Sequence, residues 1–561
     1  MDIPNLRWWG WGTLDQSYSL DGRPAFWPTL QQWLELPDES IEHEIPPVPL
    51  DDISLPPPRL DNTTLAFLHK LLGEEAVRTD KQARVEHTYG KSYRDLVRVR
   101  AGYIPHPPDV VLYPADEAQI ATLLAWAADH DVAVIPFGGG SSVLGGVEPE
   151  PGSRPALTLD LARLDRVLSI DPLSRTARIQ AGATGPEVED QLNARGFILG
   201  HFPQSFEFSS LGGWIATRSG GQNSIGYGKI EHMTQAVRVV TPAGIIETKD
   251  TPATAAGPSL LQALLGSEGI YGVITEATMR IHPLPTVQDY RGILFRSLED
   301  SLAAFRDLMQ SPSLRPAIIR LSDAPETAAY AVMSHEHHGL RWLADKLVTG
   351  YLKIRGYDLT TGSTLMLLGF DGDIEWTAQQ WNLALELCAD HRGLSLGRMV
   401  GKSWVRERYA QPYLRDTLLG HGVMVDTLET ATTWSNLMHL YEAMIKAMKE
   451  AITDTGGGPG YVMTHVSHAY PQGASLYTTF LGRQVPDPDP LAKQAQWQAI
   501  KRATTEAILA AGGTLSHHHG IGRDHAPWLE KEIGAVGIEA LRALKNTLDP
   551  ARIMNPGVLL A

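Results

Sequence analysis

The stretch Val132-Ala133-Val134-Ile135-Pro136-Phe137-Gly138-Gly139-Gly140-Ser141-Ser142-Val143-Leu144-Gly145-Gly146 decides the fold. Its first four residues form an uninterrupted apolar run and predict a buried strand. The three glycines that follow allow positive φ and close approach of the backbone to a ligand. Successive N–H groups in such a turn make a concave anion nest, to which Ser141 and Ser142 add hydroxyl donors. No Gly-Lys-Ser/Thr follows, so this is not a P-loop. Val143 stands where a dinucleotide fingerprint needs its third glycine, which excludes the usual Rossmann turn as well. The stretch reads as a phosphate cradle outside the two commonest nucleotide folds.

Upstream, Pro108-Asp109-Val110-Val111-Leu112-Tyr113-Pro114 predicts a short buried strand. Asp116 caps a helix whose Ile120, Leu123, Leu124 and Ala127 share one face. Strand, helix, strand and glycine turn in that order place the turn at the mouth of an α/β layer, a common ligand position. Downstream, two more glycine-rich turns follow two predicted strands: Leu211-Gly212-Gly213-Trp214-Ile215-Ala216-Thr217-Arg218-Ser219-Gly220-Gly221-Gln222-Asn223, then Gly266-Ser267-Glu268-Gly269-Ile270-Tyr271-Gly272-Val273-Ile274-Thr275. Three such turns suit an extended ligand better than a single phosphate. At the start, Arg7-Trp8-Trp9-Gly10-Trp11-Gly12 carries three indoles, which predicts a docked terminus. The proline-rich segment 46–58 predicts an extended spacer.

With 561 residues the chain exceeds one compact core and predicts several domains. Its net charge of −16 argues against nucleic acid as a partner, and its single cysteine, Cys388, excludes a disulfide framework and a cysteine-based metal site. No apolar run approaches the roughly 20 residues of a membrane-spanning helix, and no signal-peptide pattern opens the sequence. The expected location is cytoplasmic. The cation-bearing apolar segment from Leu340-Arg341-Trp342-Leu343 to Lys353-Ile354-Arg355 leaves a peripheral membrane contact open beside the plainer reading of a core-facing helix; a homodimer also stays open.

Three polar clusters in the second half carry candidate chemistry. Arg415 lies in Tyr413-Leu414-Arg415-Asp416, where its plainest role is a surface ion pair with Asp416. His465 and His468 precede Gly473-Ala474-Ser475-Leu476-Tyr477. His517, His518 and His519 are consecutive, before Gly520-Ile521-Gly522. In an extended backbone His517 and His519 would face away from His518, so one ion could not use all three, and no metal is expected. A proton-handling cluster is better motivated, because histidine alone has an unperturbed pKa near neutrality.

The loop PFGGGSSVLGG, the run LDLARLDRV, LGGWIATRSGGQNS and GSEGIYGVITEATMRI, in this order, resemble the FAD-binding domain of the vanillyl-alcohol-oxidase-type flavoproteins. The resemblance implies an α+β protein with a two-part FAD-binding domain and a cap domain whose antiparallel sheet is flanked by helices. It divides the chain into an N-terminal segment (1–103), the FAD-binding domain (104–285), the cap (286–511) and a C-terminal active-site segment (512–561). The implied cofactor is FAD, held by Pro136, Gly138, Gly139, Gly140, Ser141, Ser142, His201, Ser205, Ser209, Ser210, Gly212, Gly213, Thr217, Ser219, Gly220, Glu268, Gly269, Gly272, Val273 and Ile274.

Within that family, Tyr477 and His518 replace a histidine and a glutamate that hold a divalent ion in the D-2-hydroxy-acid dehydrogenases. The Arg-Trp-x-Gly-Trp-Gly start, Leu428-Glu429-Thr430, Tyr477 and Ser516-His517-His518-His519-Gly520 are instead similar to the alkyl-dihydroxyacetonephosphate synthases. This implies exchange of an acyl group for a fatty alcohol through an adduct at flavin N5, on a small-molecule lipid substrate. Tyr477 would be the acid/base, tuned by His517, His518 and His519. Arg415 would bind phosphate, and Arg320 would bind phosphate or brace the flavin site. Asn555-Pro556-Gly557 resembles the hydroxy-acid oxidases. A flavin oxidase or dehydrogenase of a hydroxy acid or alcohol is therefore the alternative, with a catalytically silent flavin-binding protein behind it.

Overall fold

The computed structural model describes residues 6–16, 18–152, 154–333, 350, 352–359 and 362–560. Most of the segment 340–355 lies outside these residues; in its described part Leu352 is buried and Ile354 is exposed.

The chain builds an α+β architecture on separate sheets. The first is small and mixed: Val110–Leu112 and Ala133–Phe137 each run parallel to Ala156–Asp160 between them, and Val77–Arg78 adds an antiparallel edge. Ala156–Asp160 is buried along its whole length, as a strand with both faces covered must be. The helix Glu117–Asp129 covers it through Ile120, Leu123, Leu124 and Ala127, and the Asp116 carboxylate accepts the Gln119 N–H. Phe137 ends its strand at the first glycine turn. A second, five-stranded antiparallel sheet carries Thr176–Gln180, Val273–Arg280 and Thr234–Thr241 at its centre. One apolar core joins the two sheets and takes in Ile553 and Met554 from far downstream. Met554 bridges to Val134, tying that region to the strand that feeds the first glycine turn.

A third sheet, wholly antiparallel, begins with Val287–Phe295 and includes Ile318–Ser322, Thr364–Gly372, Val423–Thr433, Tyr461–Val466 and Gly473–Arg483. The period of two sorts the side chains of Gly473–Arg483 between its faces. Leu476 and Phe480 join Met444 and Met448 of the helix Leu437–Asp454 and Trp497 and Ile500 of the helix Pro490–Ala510 in a second core. Tyr477, Thr479 and Leu481 face the other way, into the large cavity described below. Burying Phe480 completely stabilises this layer by about 2–3 kcal/mol.

The proline-rich segment is no free spacer. Ile53 is buried, Val48 N–H donates to the Arg100 carbonyl, and Leu50–Asp52 forms a 3-10 turn. Prolines restrict helix but do not keep a segment away from a surface, and here the apolar residues between them bury.

Candidate active site

One cavity of about 1110 Å³ lies between the glycine turns and the large sheet. It exceeds the ~300–1,000 Å³ of an ordinary small-molecule site, leaving room for a cofactor together with a second ligand. Every cofactor residue expected from the sequence lines it except His201 and Val273. His201 is fully buried behind the wall, with Nε2 3.1 Å from Ser219 Oγ and its ring against Trp214; burial lowers its pKa to about 3.

The first and second turns stand back to back. A Cβ on Gly139 would lie 1.7 Å from the Phe208 carbonyl oxygen, and one on Gly138 would lie 2.1 Å from Ser210 Oγ. Only glycine permits this approach, which presents a side-chain-free cradle to the cavity. Gly140 and Gly145 have φ of 59° and 69°, the left-handed turns that curl the loop. A concave set of backbone donors and serine hydroxyls fits a diphosphate-bearing flavin, so the residues present fit FAD. Glu268 of the third turn has a different task. Its carboxylate accepts the N–H groups of Ile521 (2.6 Å) and Gly522 (2.8 Å), and burial raises its pKa to about 7. Asn555 spans the first and third turns, donating through Nδ2 to the carbonyls of Gly146 and Glu268.

The opposite wall is chemical. Strand register sets Tyr477 between His465 and Glu429. The phenol ring stacks on His465 (4.8 Å, 18°) and on His518 (5.7 Å, 24°), and its hydroxyl donates to Thr427 Oγ1 at 3.3 Å. Burial pushes the phenol up to about 12, so it rests protonated. Arg320 Nη2 donates to Glu326 Oε1 (2.9 Å) and lies 3.1 Å from His465 Nδ1, which is itself 2.8 Å from the same carboxylate oxygen. Arg320 and His465 beside it hold Glu326 at about 2 despite its burial.

The histidine run departs from the expected alternation. Its backbone is curled, not extended, because one buried carboxylate gathers it: Glu429 accepts the N–H groups of His517, His518 (3.2 Å) and His519 (2.9 Å), together with the Ser516 hydroxyl (2.6 Å). Consequently His517 Nδ1 lies 3.0 Å from His518 Nδ1. Ligand atoms of His468, His517 and His518 fall within 4.8 Å of one another, so opposite facing does not separate them. Burial lowers the pKa values of His468, His517, His518 and His519, leaving neutral imidazoles. His518 and His519 line the cavity. His517 stands behind them, with Nε2 2.8 Å from Tyr470 Oη and its carbonyl accepting Lys229 Nζ.

Arg415 also departs from its plainest reading. Asp416 is buried and accepts the Trp11 N–H, while Arg415 lines the cavity and donates from Nη1 to the Lys91 carbonyl at 2.7 Å. Helix geometry explains the change: adjacent residues point about 100° apart, so the two side chains leave in different directions. The aromatic start is docked through this contact, with Trp11 edge-on to Phe208 and on the cavity wall.

Sequence reasoning left Glu429, Glu326 and Lys91 out of the candidate site. Glu429 had a partial signal, lying next to the core residue Leu428 in its strand; Glu326 had none. Lys91 had none, because its place depends on a contact with the distant Arg415.

Residues 108–249 match the family described as FAD binding domain, and residues 284–559 match FAD linked oxidases, C-terminal domain. The alkyldihydroxyacetonephosphate synthase of Dictyostelium discoideum is 35% identical, over 96% of this chain and 88% of that protein. The one from Trypanosoma brucei brucei is 36% identical, over 90% of this chain and 82% of that protein. A solved alkyldihydroxyacetonephosphate synthase structure superposes with a TM-score of 0.83 at 31% identity, covering 98% of each chain.

Proposed function

The chain belongs to the alkyldihydroxyacetonephosphate synthase family of FAD-linked proteins, and from that premise we propose that it exchanges the acyl group of an acyl-dihydroxyacetonephosphate for a fatty alcohol, forming an ether lipid precursor. The observation that carries this reading is the meeting, in one cavity, of the glycine cradle with Tyr477, His518, His519 and Arg415.

FAD, when bound, supplies the chemistry that lets a carbon–oxygen bond be exchanged without net redox change. The protein's residues do the rest. Arg415 binds the substrate phosphate, as a guanidinium fork does well. Tyr477, protonated at rest, is the acid/base at the carbon that exchanges its substituent, and the neutral imidazoles of His518 and His519 packed against its ring tune it. Arg320, fixed by Glu326 and His465, supports the site from the sheet. Apolar walls take the chains: Phe26, Leu30 and Trp33 on one side, Leu365, Leu367 and Met399 on the other.

Among the described residues no helix is long and apolar enough to cross a membrane. We propose peripheral contact instead, through the helix Arg398–Glu407. It stands at the cavity mouth, with Val400 and Trp404 on the cavity wall, Met399 (80% exposed) meeting both cavity and solvent, and Val405 (43%), Arg398, Lys402 and Arg406 exposed beside it.

Purified protein should be yellow and should convert acyl-dihydroxyacetonephosphate and hexadecanol to the alkyl product, read by mass spectrometry. Tyr477→Phe should keep its flavin and lose about 10²–10⁴-fold in turnover. A colourless protein that stays flavin-free in excess FAD, or unchanged turnover in Tyr477→Phe, refutes the assignment. Bleaching of the flavin by a hydroxy acid without oxygen would move the reading to the oxidase or dehydrogenase alternative.

A further inference from the structure

Lys91 opens onto the cavity beside Arg415, and the two are joined through the main chain by the Arg415 Nη1 bond to the Lys91 carbonyl (2.7 Å). The Lys91 N–H is used by the Ser142 carbonyl of the first glycine turn, at 2.6 Å. The residue is therefore clamped between the cofactor cradle and the cap helix Gln411–Gly420. Its ammonium group has a single weak contact, the Arg7 carbonyl at 3.5 Å. Among the described residues no carboxylate oxygen stands within ion-pair distance of Lys91 Nζ or of the Arg415 guanidinium, and Arg415 Nε is buried without a hydrogen-bond partner. The nearest negative charge that both cations feel is Asp416, and it is shared with Arg100. Asp416 is already held by the Trp11 N–H, and burial raises its pKa. Three cations thus share one buried carboxylate. Burial of this crowded ammonium lowers its pKa to about 8. A buried charge costs free energy unless a partner of opposite sign satisfies it. The wall that would supply that partner is the cavity itself.

We propose that Lys91 and Arg415 together form the subsite for a phosphate monoester, with the Lys91 ammonium as its second cation. This rests on the functional reading above and adds the residue that lets the site hold a dianion. Arg415 alone supplies one positive charge. A phosphate monoester carries nearly two, and the compact ammonium complements the planar fork. The cofactor's diphosphate presents the same chemistry, but the glycine turns already offer backbone donors for it. Lys91 joins Arg415 of the cap helix to Ser142 of the first turn, so the measurements below separate a substrate phosphate from the cofactor's own.

The test uses flavin-loaded full-length protein, with inorganic phosphate as the probe, read as a perturbation of the flavin spectrum so that binding is measured without turnover. Lys91→Met should keep its FAD content, weaken phosphate binding about 10- to 100-fold and raise KM for the acylated substrate by a similar factor, with kcat within about fivefold, as expected for one charge-assisted contact. Lys91→Arg should restore phosphate binding to within about threefold, since the charge returns. Unchanged phosphate binding in Lys91→Met overturns the proposal. Loss of FAD from Lys91→Met also overturns it, because the cation would then serve the cofactor. Should the variants not fold, wild-type enzyme treated with pyridoxal phosphate and borohydride should be labelled on Lys91 and protected by inorganic phosphate; absence of that label refutes the subsite. Wild type that binds phosphate yet fails to exchange acyl for alkyl refutes the functional reading and leaves the subsite standing.

Discussion

Replacing Glu429 with glutamine tests how the histidine run is held. The carboxylate takes four donors: Oε1 accepts the Ser516 hydroxyl and the His518 and His519 N–H groups, and Oε2 accepts the His517 N–H. An amide can keep the first three by placing its carbonyl at Oε1. Its NH₂ then meets the His517 N–H, a donor facing a donor, and that bond is lost. The lost contact is charge-assisted and buried, which is worth about 1.5–3 kcal/mol. At 1.4 kcal/mol per tenfold, local opening at residue 517 should become about 10- to 150-fold more frequent. Hydrogen exchange measured by mass spectrometry on a peptide spanning residues 514–522 reads this directly, and flavin absorbance checks that the cradle is intact. Turnover should fall as well, because His518 and His519 hang from the same backbone. Exchange of that peptide within about threefold of wild type, with flavin retained, would refute the idea that Glu429 organises the run.

Two further outcomes follow from the geometry. Gly139→Ala places a methyl 1.7 Å from the Phe208 carbonyl, a clash between main chains that no rotamer relieves, so the protein should lose FAD binding or fail to accumulate; a yellow, active Gly139→Ala protein would show that the two turns are not in contact. Glu268 has a folded pKa of about 7, raised by burial above the ordinary carboxylate value, so the native state holds more protons than the unfolded chain between about pH 4.5 and 7. Its ionisation therefore costs stability as pH rises through that window, on the order of 2–3 kcal/mol in all. Glu268→Gln should gain on wild type in urea midpoint between pH 5 and pH 8, and parallel pH curves for the two proteins would contradict this.

The cofactor side was legible because glycine has few reasons to recur in threes after an apolar strand. Backbone approach dictates the residue locally, and the first turn needs no distant information to be recognised. The fully buried Ala156–Asp160 and the capped helix after Asp116 followed from apolar pattern for the same reason. The opposite wall was legible by residue type but not by arrangement. Periodicity places Tyr477 on a face of its strand, yet it cannot say that His465 and Glu429 lie in the flanking strands, since register between distant segments is a tertiary property. The alternation expected for residues 517–519 failed because a carboxylate nearly ninety positions upstream supplied a better conformation for the backbone than extension did. Arg415 was misjudged alone and placed by its contact with Lys91, which no local pattern reveals.

The two buried glutamates that grip the histidine segment come from different sheets: Glu268 from the turn leading into Val273–Arg280, Glu429 from Val423–Thr433. That segment is translated after both. Its final conformation is therefore defined only where both sheets are in place, so the histidine segment acts as a clasp that reports the assembly of the two halves.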